Sequence, residues 1–137
     1  MRIKVYQVDA FTDKLFSGNP AAVCPLDHWL PDDVLRDMAL ENNLAETAFI
    51  VPCVDPETAD FDLRWFTPGV EVALCGHATL ASGHLILSSV PAVADGRFST
   101  IKAGVLTVAR ARGGYAEAFA RWPPAAPVPR RPQRPTP

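Results

Sequence analysis

The sequence of 137 residues lacks several features that would assign it to a specialised class of protein. It contains no run of about 18 apolar residues, so no membrane-spanning helix is predicted. The opening residues, MRIKVYQVDAF, lack the apolar core of a signal peptide. The formal net charge of −2 indicates no polyionic partner. We therefore expect a cytoplasmic protein that binds neither membranes nor nucleic acid.

Cysteine is scarce, and its spacing excludes two common uses. Cys24, Cys53 and Cys75 are far apart and form no C-x-x-C pair, so neither a disulfide framework nor a zinc site is predicted. A reducing compartment is the default for such a chain. His84 lies seven residues after His77, whereas a helical metal pair has i, i+4 spacing. We expect no metal, and we interpret His84 as a core residue.

The residues that are present predict one globular domain followed by a different tail. Hydrophobic residues make up 48% and charged residues 20%, as in ordinary soluble domains. Residues 123–137 hold 7 of the 14 prolines together with Arg130, Arg131 and Arg134. These arginines lack the interleaved aromatic residues of a nucleic-acid site. We predict a domain over residues 1–122 and a disordered Pro/Arg-rich tail over residues 123–137.

Hydrophobic periodicity predicts short strands around two helices. Alternation predicts strands in RIKVYQV, ETAFIVPC and DFDLRWF, and one or two more, broken at Gly104, in RFSTIKAGVLTVARA. The stretch PDDVLRDMALENN predicts an amphipathic helix, whereas residues 78–87 are apolar nearly all round and predict a helix buried on every side. Ser17 to Pro20 and Gly113-Gly114 predict turns. The class is α+β, with a curved, mostly antiparallel, barrel-like sheet wrapped around the apolar helix.

Two places in this arrangement could carry acid/base or anion-binding chemistry. Glu46 opens a strand beside apolar residues, where burial would raise its pKa and suit it to acid/base catalysis. It could equally be an exposed residue at a strand end. Gly76 and His77 stand at the start of the apolar helix, whose free N–H groups could bind a carboxylate. The alternative is a histidine that only caps and packs.

Cys75 lies at the same helix start, and its role is open on spacing alone. A helix N-terminus lowers the pKa of a thiol, which would suit a nucleophile or a carbon-acid base. A lone cysteine beside apolar residues can also be a small core side chain. Residue spacing does not decide between these readings.

Four stretches together resemble a known family: QVDAFTDKLFSGNPAAVC, WLPDDVLRDMALENNLAETAFIV, LRWFTPGVEVALCGHATLASGHLI and FSTIKAGVLTV. They are similar, over roughly residues 3–122, to the N-terminal half of the PhzF-like isomerases of phenazine biosynthesis. That family shares its fold with diaminopimelate epimerase. Its members have two similar domains, each a curved sheet around a central helix, with the active site between them.

The resemblance implies roles for individual residues. The family's catalytic acid/base glutamate falls on Glu46, and its substrate-pocket positions fall on Gly76 and His77. Cys75 matches the thiol base of the related epimerases, but in the PhzF-like branch it is implied to be a pocket residue. Asn19 is implied to shape the same cleft. The implied reaction is a cofactor-independent proton transfer on a small carboxylate-bearing substrate in a biosynthetic process.

The sequence departs from this pattern near Trp122, where the match gives way to the Pro/Arg-rich tail. The family chain is about twice as long, and its second domain supplies the opposing wall of the cleft. We therefore expect a truncated isomerase domain. Two alternatives stay open: an inactive remnant or binding module, and a half-enzyme completed by a homodimer partner or by a complementary second-half chain.

Overall fold

The computed structural model describes residues 2–10, 19–89, 95–109 and 120–121. The predicted Gly113-Gly114 turn and the tail over residues 123–137 lie outside these ranges, as do Ser17 and Gly18. The described elements are β1 (Tyr6–Ala10), β2 (Asn19–Pro25), α1 (Asp32–Asn42), β3 (Glu46–Pro52), β4 (Phe61–Thr67), β5 (Val70–Val72), α2 (Gly76–Ser89), β6 (Asp95–Ser99), β7 (Val105–Ala109) and β8 (Ala120–Arg121).

The strands form one mixed sheet in the order β1-β2-β3-β4-β6-β7-β8, with β5 paired to β4. The β2–β3 and β4–β6 pairs are parallel, and the other described pairs are antiparallel, which confirms the mostly antiparallel sheet. No pairing joins β1 to β8 within the described residues, so the sheet is open along this path. The barrel-like closure is therefore not confirmed.

Helix α2 packs against strands from both halves of the sheet, namely β1, β2 and β3 on one side and β6, β7 and β8 on the other. The core between helix and sheet includes the large buried side chains Ile50, Leu63, Trp65 and Phe98. The predicted α+β class is confirmed, and strands from both halves of the sheet contact the apolar helix. The helix is not buried on every side, however, because four of its side chains are only half-buried: Leu80, His84, Leu85 and Ile86.

Helix α1 covers the opposite face of the sheet. Leu35 and Ala39 are its buried residues, and they pack in a second core with Phe49 and Phe66, whose rings meet edge to face at 5.5 Å. Alternation along β3 explains the two cores, since successive side chains point to opposite faces of a sheet. Both faces of β3 are therefore covered, and Glu46 is the first residue of this strand.

The structure differs from two predictions about where elements begin. The first strand begins at Tyr6, and Val5 stays 49% exposed, so the strand predicted over residues 2–8 is shifted along the chain. Asn19 and Pro20 belong to β2 and not to a turn, since they pair with β1. By contrast, α1 ends where the predicted stretch PDDVLRDMALENN ends, with Asn43 in the left-handed conformation (φ 51°). Asparagine is one of the few residues that adopts this conformation readily.

Gly83 of α2 lies against Val108 of β7, and this contact gives a first test of the fold. A Cβ added there would lie 2.6 Å from Cβ of Val108 and closer still to Cγ1. We expect Gly83→Ala to destabilise the fold by about 1–3 kcal/mol through overpacking, despite the better helix propensity of alanine. Urea denaturation measures this. Gly76→Ala in the same helix is the control, because nothing lies within 4 Å of its added Cβ. If the two variants were equally stable, the close contact between Gly83 and Val108 would be contradicted.

Candidate active site

Glu46 begins β3, where the parallel pairing to β2 places it opposite Ala21. The side chain is half-buried, and its Oε2 atom is buried with no hydrogen-bond partner among the described residues. Burial raises the pKa of the carboxyl group above its ordinary value, and a hydrogen bond with the Cys75 thiol partly opposes that rise. Glu46 is thus not the exposed strand-end glutamate of the alternative interpretation. A carboxyl group in this setting can hold and release a proton closer to neutral pH.

Cys75 directly precedes α2 and is 8% exposed. Its carbonyl oxygen accepts hydrogen bonds from the backbone N–H of Thr79 at 3.1 Å and from Thr79 Oγ1 at 2.7 Å, which fixes the start of the helix. Its Sγ atom lies 3.2 Å from Nδ1 of His77. The thiol therefore stands inside the candidate site and touches another of its residues.

The thiol of Cys75 does not behave as its position at a helix N-terminus suggested. Burial raises its pKa to about 11, and the neighbouring Glu46 adds to the rise. The backbone N–H groups of Ala78 and His77 act in the opposite direction but do not overcome desolvation. The thiol is therefore protonated at neutral pH. This argues against a thiolate base or nucleophile, since the thiolate is the reactive form.

His77 lies in the first turn of α2 and is half-buried. Its Nε2 atom is buried and has no hydrogen-bond partner among the described residues. Burial lowers its pKa, and the backbone of Pro20 in β2 opposes this in part. The ring is therefore neutral at pH 7, with Nδ1 toward Cys75. The contact between Pro20 and His77 was not predictable from the sequence, because it depends on how β2 packs beside α2.

Gly76 is the first residue of α2 and is exposed. Nothing lies within 4 Å of the position that a Cβ would take, so a ligand can approach the backbone there. The first turn of the helix contains no acidic residue that would occupy its positive end. This end of α2 can therefore accept an anionic group.

The structure brings Glu46, Cys75, Gly76 and His77 together at the junction of β3 and α2. Asn19 lies in β2 next to Pro20, and its side chain is outside what the structure describes. His84 is half-buried further along α2 and is not part of this cluster. The three cysteines are free. Within the described ranges, no three metal-binding side chains are grouped to hold an ion, and no helix is long and apolar enough to cross a membrane.

The raised pKa of Glu46 predicts how stability depends on pH. Because the pKa of Glu46 is higher in the folded state, protonated Glu46 contributes to the free energy of unfolding. This contribution is complete below pH 4.5 and is lost as the pH rises through the folded-state pKa. We expect Glu46→Gln to match the parent chain in acid and to become relatively more stable as Glu46 ionises. Urea denaturation between pH 4 and pH 8 measures the difference. Glu41→Gln, which replaces an exposed glutamate of α1 outside the candidate site, is the matched control for the loss of one carboxyl group.

Comparison with known proteins identifies the family. The model of the PhzC-PhzF family, described as phenazine biosynthesis-like protein, matches residues 8–133. The chain belongs to this family. The matched segment contains every residue of the candidate site and extends beyond residue 122, into the segment that the sequence analysis assigned to the tail.

Individual relatives of the PhzC-PhzF family show the same relationship. An uncharacterized isomerase of Pseudomonas aeruginosa is 51% identical over 111 residues, which cover 80% of this chain and 41% of the relative. The crystal structure of a PhzF-family protein of Enterococcus faecalis superposes with a TM-score of 0.71 at 43% identity, over 82% of this chain and 42% of that one.

A predicted epimerase of Pseudomonas aeruginosa superposes with a TM-score of 0.66 at 26% identity, over 83% of this chain and 40% of that one. This likeness agrees with the epimerase-like α+β architecture. The chain spans about two fifths of the length of the relatives that it matches.

Proposed function

We propose that the chain forms one wall of a PhzC-PhzF isomerase site, in which Glu46 moves a proton between carbon atoms of a small carboxylate-bearing substrate. The observation that carries this proposal is the buried Oε2 atom of Glu46, in one cluster with the buried Nε2 atom of His77; neither atom has a hydrogen-bond partner among the residues that the structure describes. Buried polar atoms are normally paired, so two such atoms in one cluster mark a place for a ligand. The names of two relatives, an isomerase and a predicted epimerase, agree with this class of reaction.

The surroundings of each site residue indicate its role in the proposed reaction. Glu46 takes a proton from carbon as a carboxylate and returns it as a carboxylic acid, and its raised pKa brings the two forms closer in free energy at neutral pH. The open N-terminus of α2 at Gly76 binds the substrate carboxylate. Neutral His77 presents Nε2 to a substrate oxygen, and Asn19 lies at the edge of the same cleft. No step in this reaction calls for a cofactor.

The candidate site is exposed at the start of α2. Gly76 is exposed, and so is Leu74 just before it, at 46%. Proton transfer at carbon benefits from the exclusion of water and from fixed geometry. We therefore propose that an opposing wall covers this face in the active form, supplied by further polypeptide or by a second chain. A site that binds carboxylates without this wall would act as a binding module.

Solvent exchange tests the proposal. The purified chain is incubated in heavy water with a panel of small carboxylates, and deuterium at carbon is measured by mass spectrometry. We expect exchange with at least one member of the panel, with a rate per chain that rises with chain concentration if a second copy supplies the wall. Light scattering on the same samples reports the oligomeric state. Binding without exchange at any concentration would contradict catalysis by this chain and favour the binding module.

A further inference from the structure

Among the described strands, Glu46 is paired on one side only. Its backbone pairs with Ala21 of β2, whereas the pairing of β3 with β4 begins one residue later, at Thr47. Residues 43–45 connect Glu46 to the end of α1, and Ala45 is exposed. The ends of strands open more readily than their interiors. A fixed position for the carboxyl group of Glu46 therefore calls for a contact beyond the pairing with β2.

Such a contact joins the end of α1 to the start of β3. Asn42, the last residue of α1, donates a hydrogen bond from Nδ2 to Oγ1 of Thr47 at 3.3 Å. Thr47 is fully buried and Asn42 is half-buried. The N–H of Asn43 donates to the carbonyl oxygen of Ala39 at 3.2 Å, which fixes the other end of the connection. The loop that leads to Glu46 is thus held by hydrogen bonds at both ends.

Thr47 acts on the candidate site through the backbone and not by direct contact. Successive side chains of a strand point to opposite faces of the sheet. Phe49, two residues after Thr47, packs in the core with α1, and Ala48, two residues after Glu46, packs in the core with α2. The side chain of Thr47 therefore points away from α2, while its backbone is bonded to that of Glu46.

We propose that Asn42 and Thr47 are positioning residues, whose hydrogen bond holds the start of β3 to the end of α1 and so keeps the carboxyl group of Glu46 in the candidate site. The consequence for catalysis rests on the function proposed above. A general acid/base must lie within hydrogen-bond reach of the proton that it moves. Loss of the Asn42–Thr47 hydrogen bond lowers the rate of proton transfer, whereas carboxylate binding at Gly76, on α2, is retained.

NMR relaxation of the Glu46 side chain in the full, ligand-free chain tests the anchoring directly. We expect Thr47→Val, which keeps the branched shape and removes the hydroxyl group, to increase the motion of this side chain. Thr47→Ser restores the hydroxyl group and should return the motion to the parent level. Asn42→Ala removes the other partner at a less buried position, and it gives the same comparison if Thr47→Val does not fold. Because both substitutions break one hydrogen bond, the double variant should move no more than either single variant.

Deuterium exchange distinguishes positioning from a general loss of stability. We expect Thr47→Val to lower the exchange rate at saturating carboxylate by about tenfold to a hundredfold, because a misplacement of about 1 Å can cost about 10²-fold. The carboxylate concentration that gives half of the maximal rate should not change. Thr100→Val is the matched control, since it removes a hydroxyl group that donates to the carbonyl oxygen of Gly104 at 2.8 Å in the turn between β6 and β7. It should leave the motion of Glu46 and the exchange rate unchanged.

The proposal is overturned if Glu46 is equally mobile in the parent chain and in Thr47→Val, or if Thr47→Ser does not restore the parent level. It is also overturned if the effects of Asn42→Ala and Thr47→Val add, or if Thr100→Val mobilises Glu46 to the same extent. Since the NMR measurement is made without substrate, its outcome is independent of the proposed function. A lack of exchange with every carboxylate would count against that function alone.

Discussion

Replacement of Glu46 by glutamine is expected to reduce carbon-bound deuterium exchange by roughly 10²- to 10⁴-fold, the range attributed to a positioned general acid/base. Glutamine keeps the size of the side chain and removes only its capacity to take a proton. Glu46 is the half-buried carboxyl group whose pKa burial raises, in contact with the site cysteine. The rate of deuterium incorporation into the best substrate of the carboxylate panel measures the effect.

The matched control for this prediction is Glu41→Gln. Glu41 is an exposed residue of α1, on the opposite side of the sheet from α2, so its replacement should leave the exchange rate unchanged. Retention of more than about a tenth of the parent rate by the Glu46 variant would mean that another group performs the transfer. An equal loss in both variants would point to a general loss of folding.

The second large effect is expected at Gly76, where an aspartate should stabilise the helix and prevent carboxylate binding. A negative charge at a helix N-terminus typically adds about 0.3–1 kcal/mol of stability. The same charge repels a substrate carboxylate by about 1–4 kcal/mol at roughly 4 Å, which corresponds to an affinity weaker by about fivefold to nearly a thousandfold. Calorimetric titration with a carboxylate ligand and urea denaturation measure the two effects on one sample.

Gly76→Asn is the control for the charge, because asparagine has nearly the same shape and no charge. The open space around Gly76 accommodates either side chain, and its backbone is not in the left-handed region that favours glycine. We expect the asparagine variant to bind more weakly than the parent but clearly more tightly than the aspartate variant. If both substitutions weaken binding equally, the carboxylate does not bind at this helix end through charge.

The sequence predicted the helices and most strands because their signals are local. The periodicity of PDDVLRDMALENN and the alternation of DFDLRWF each report which side of one element is buried. The end of α1 at Asn43 followed from the conformational preference of one residue. Gly104 has φ +70° between β6 and β7, as expected for the break in that pair of strands.

Features that depend on distant packing were not predictable in this way. The parallel pairs β2–β3 and β4–β6 join strands far apart in sequence, and no single stretch carries their register. The half-buried side chains of α2 depend on the packing around the helix, whereas the apolar sequence alone predicted burial all round.

The site shows the same division between local and distant causes. Glu46, Gly76 and His77 were selected by residue type and by resemblance, and their assembly in one cluster comes from the pairing of β2 with β3 and the packing of α2. For Cys75 the local argument predicted a lowered pKa, but burial by the surrounding strands raises it to about 11. Desolvation depends on tertiary packing, so the sequence could not supply its sign.

The most direct test of the account is the titration of Glu46 itself, followed by carbon NMR of its side-chain carboxyl group and assigned by comparison with Glu46→Gln. The account predicts a midpoint clearly above the ordinary value of 4.5, because the carboxyl group is partly desolvated beside Cys75. A midpoint at or below 4.5 would mean that Glu46 is solvated or ion-paired. It would contradict its role as an acid/base poised to move a proton at carbon.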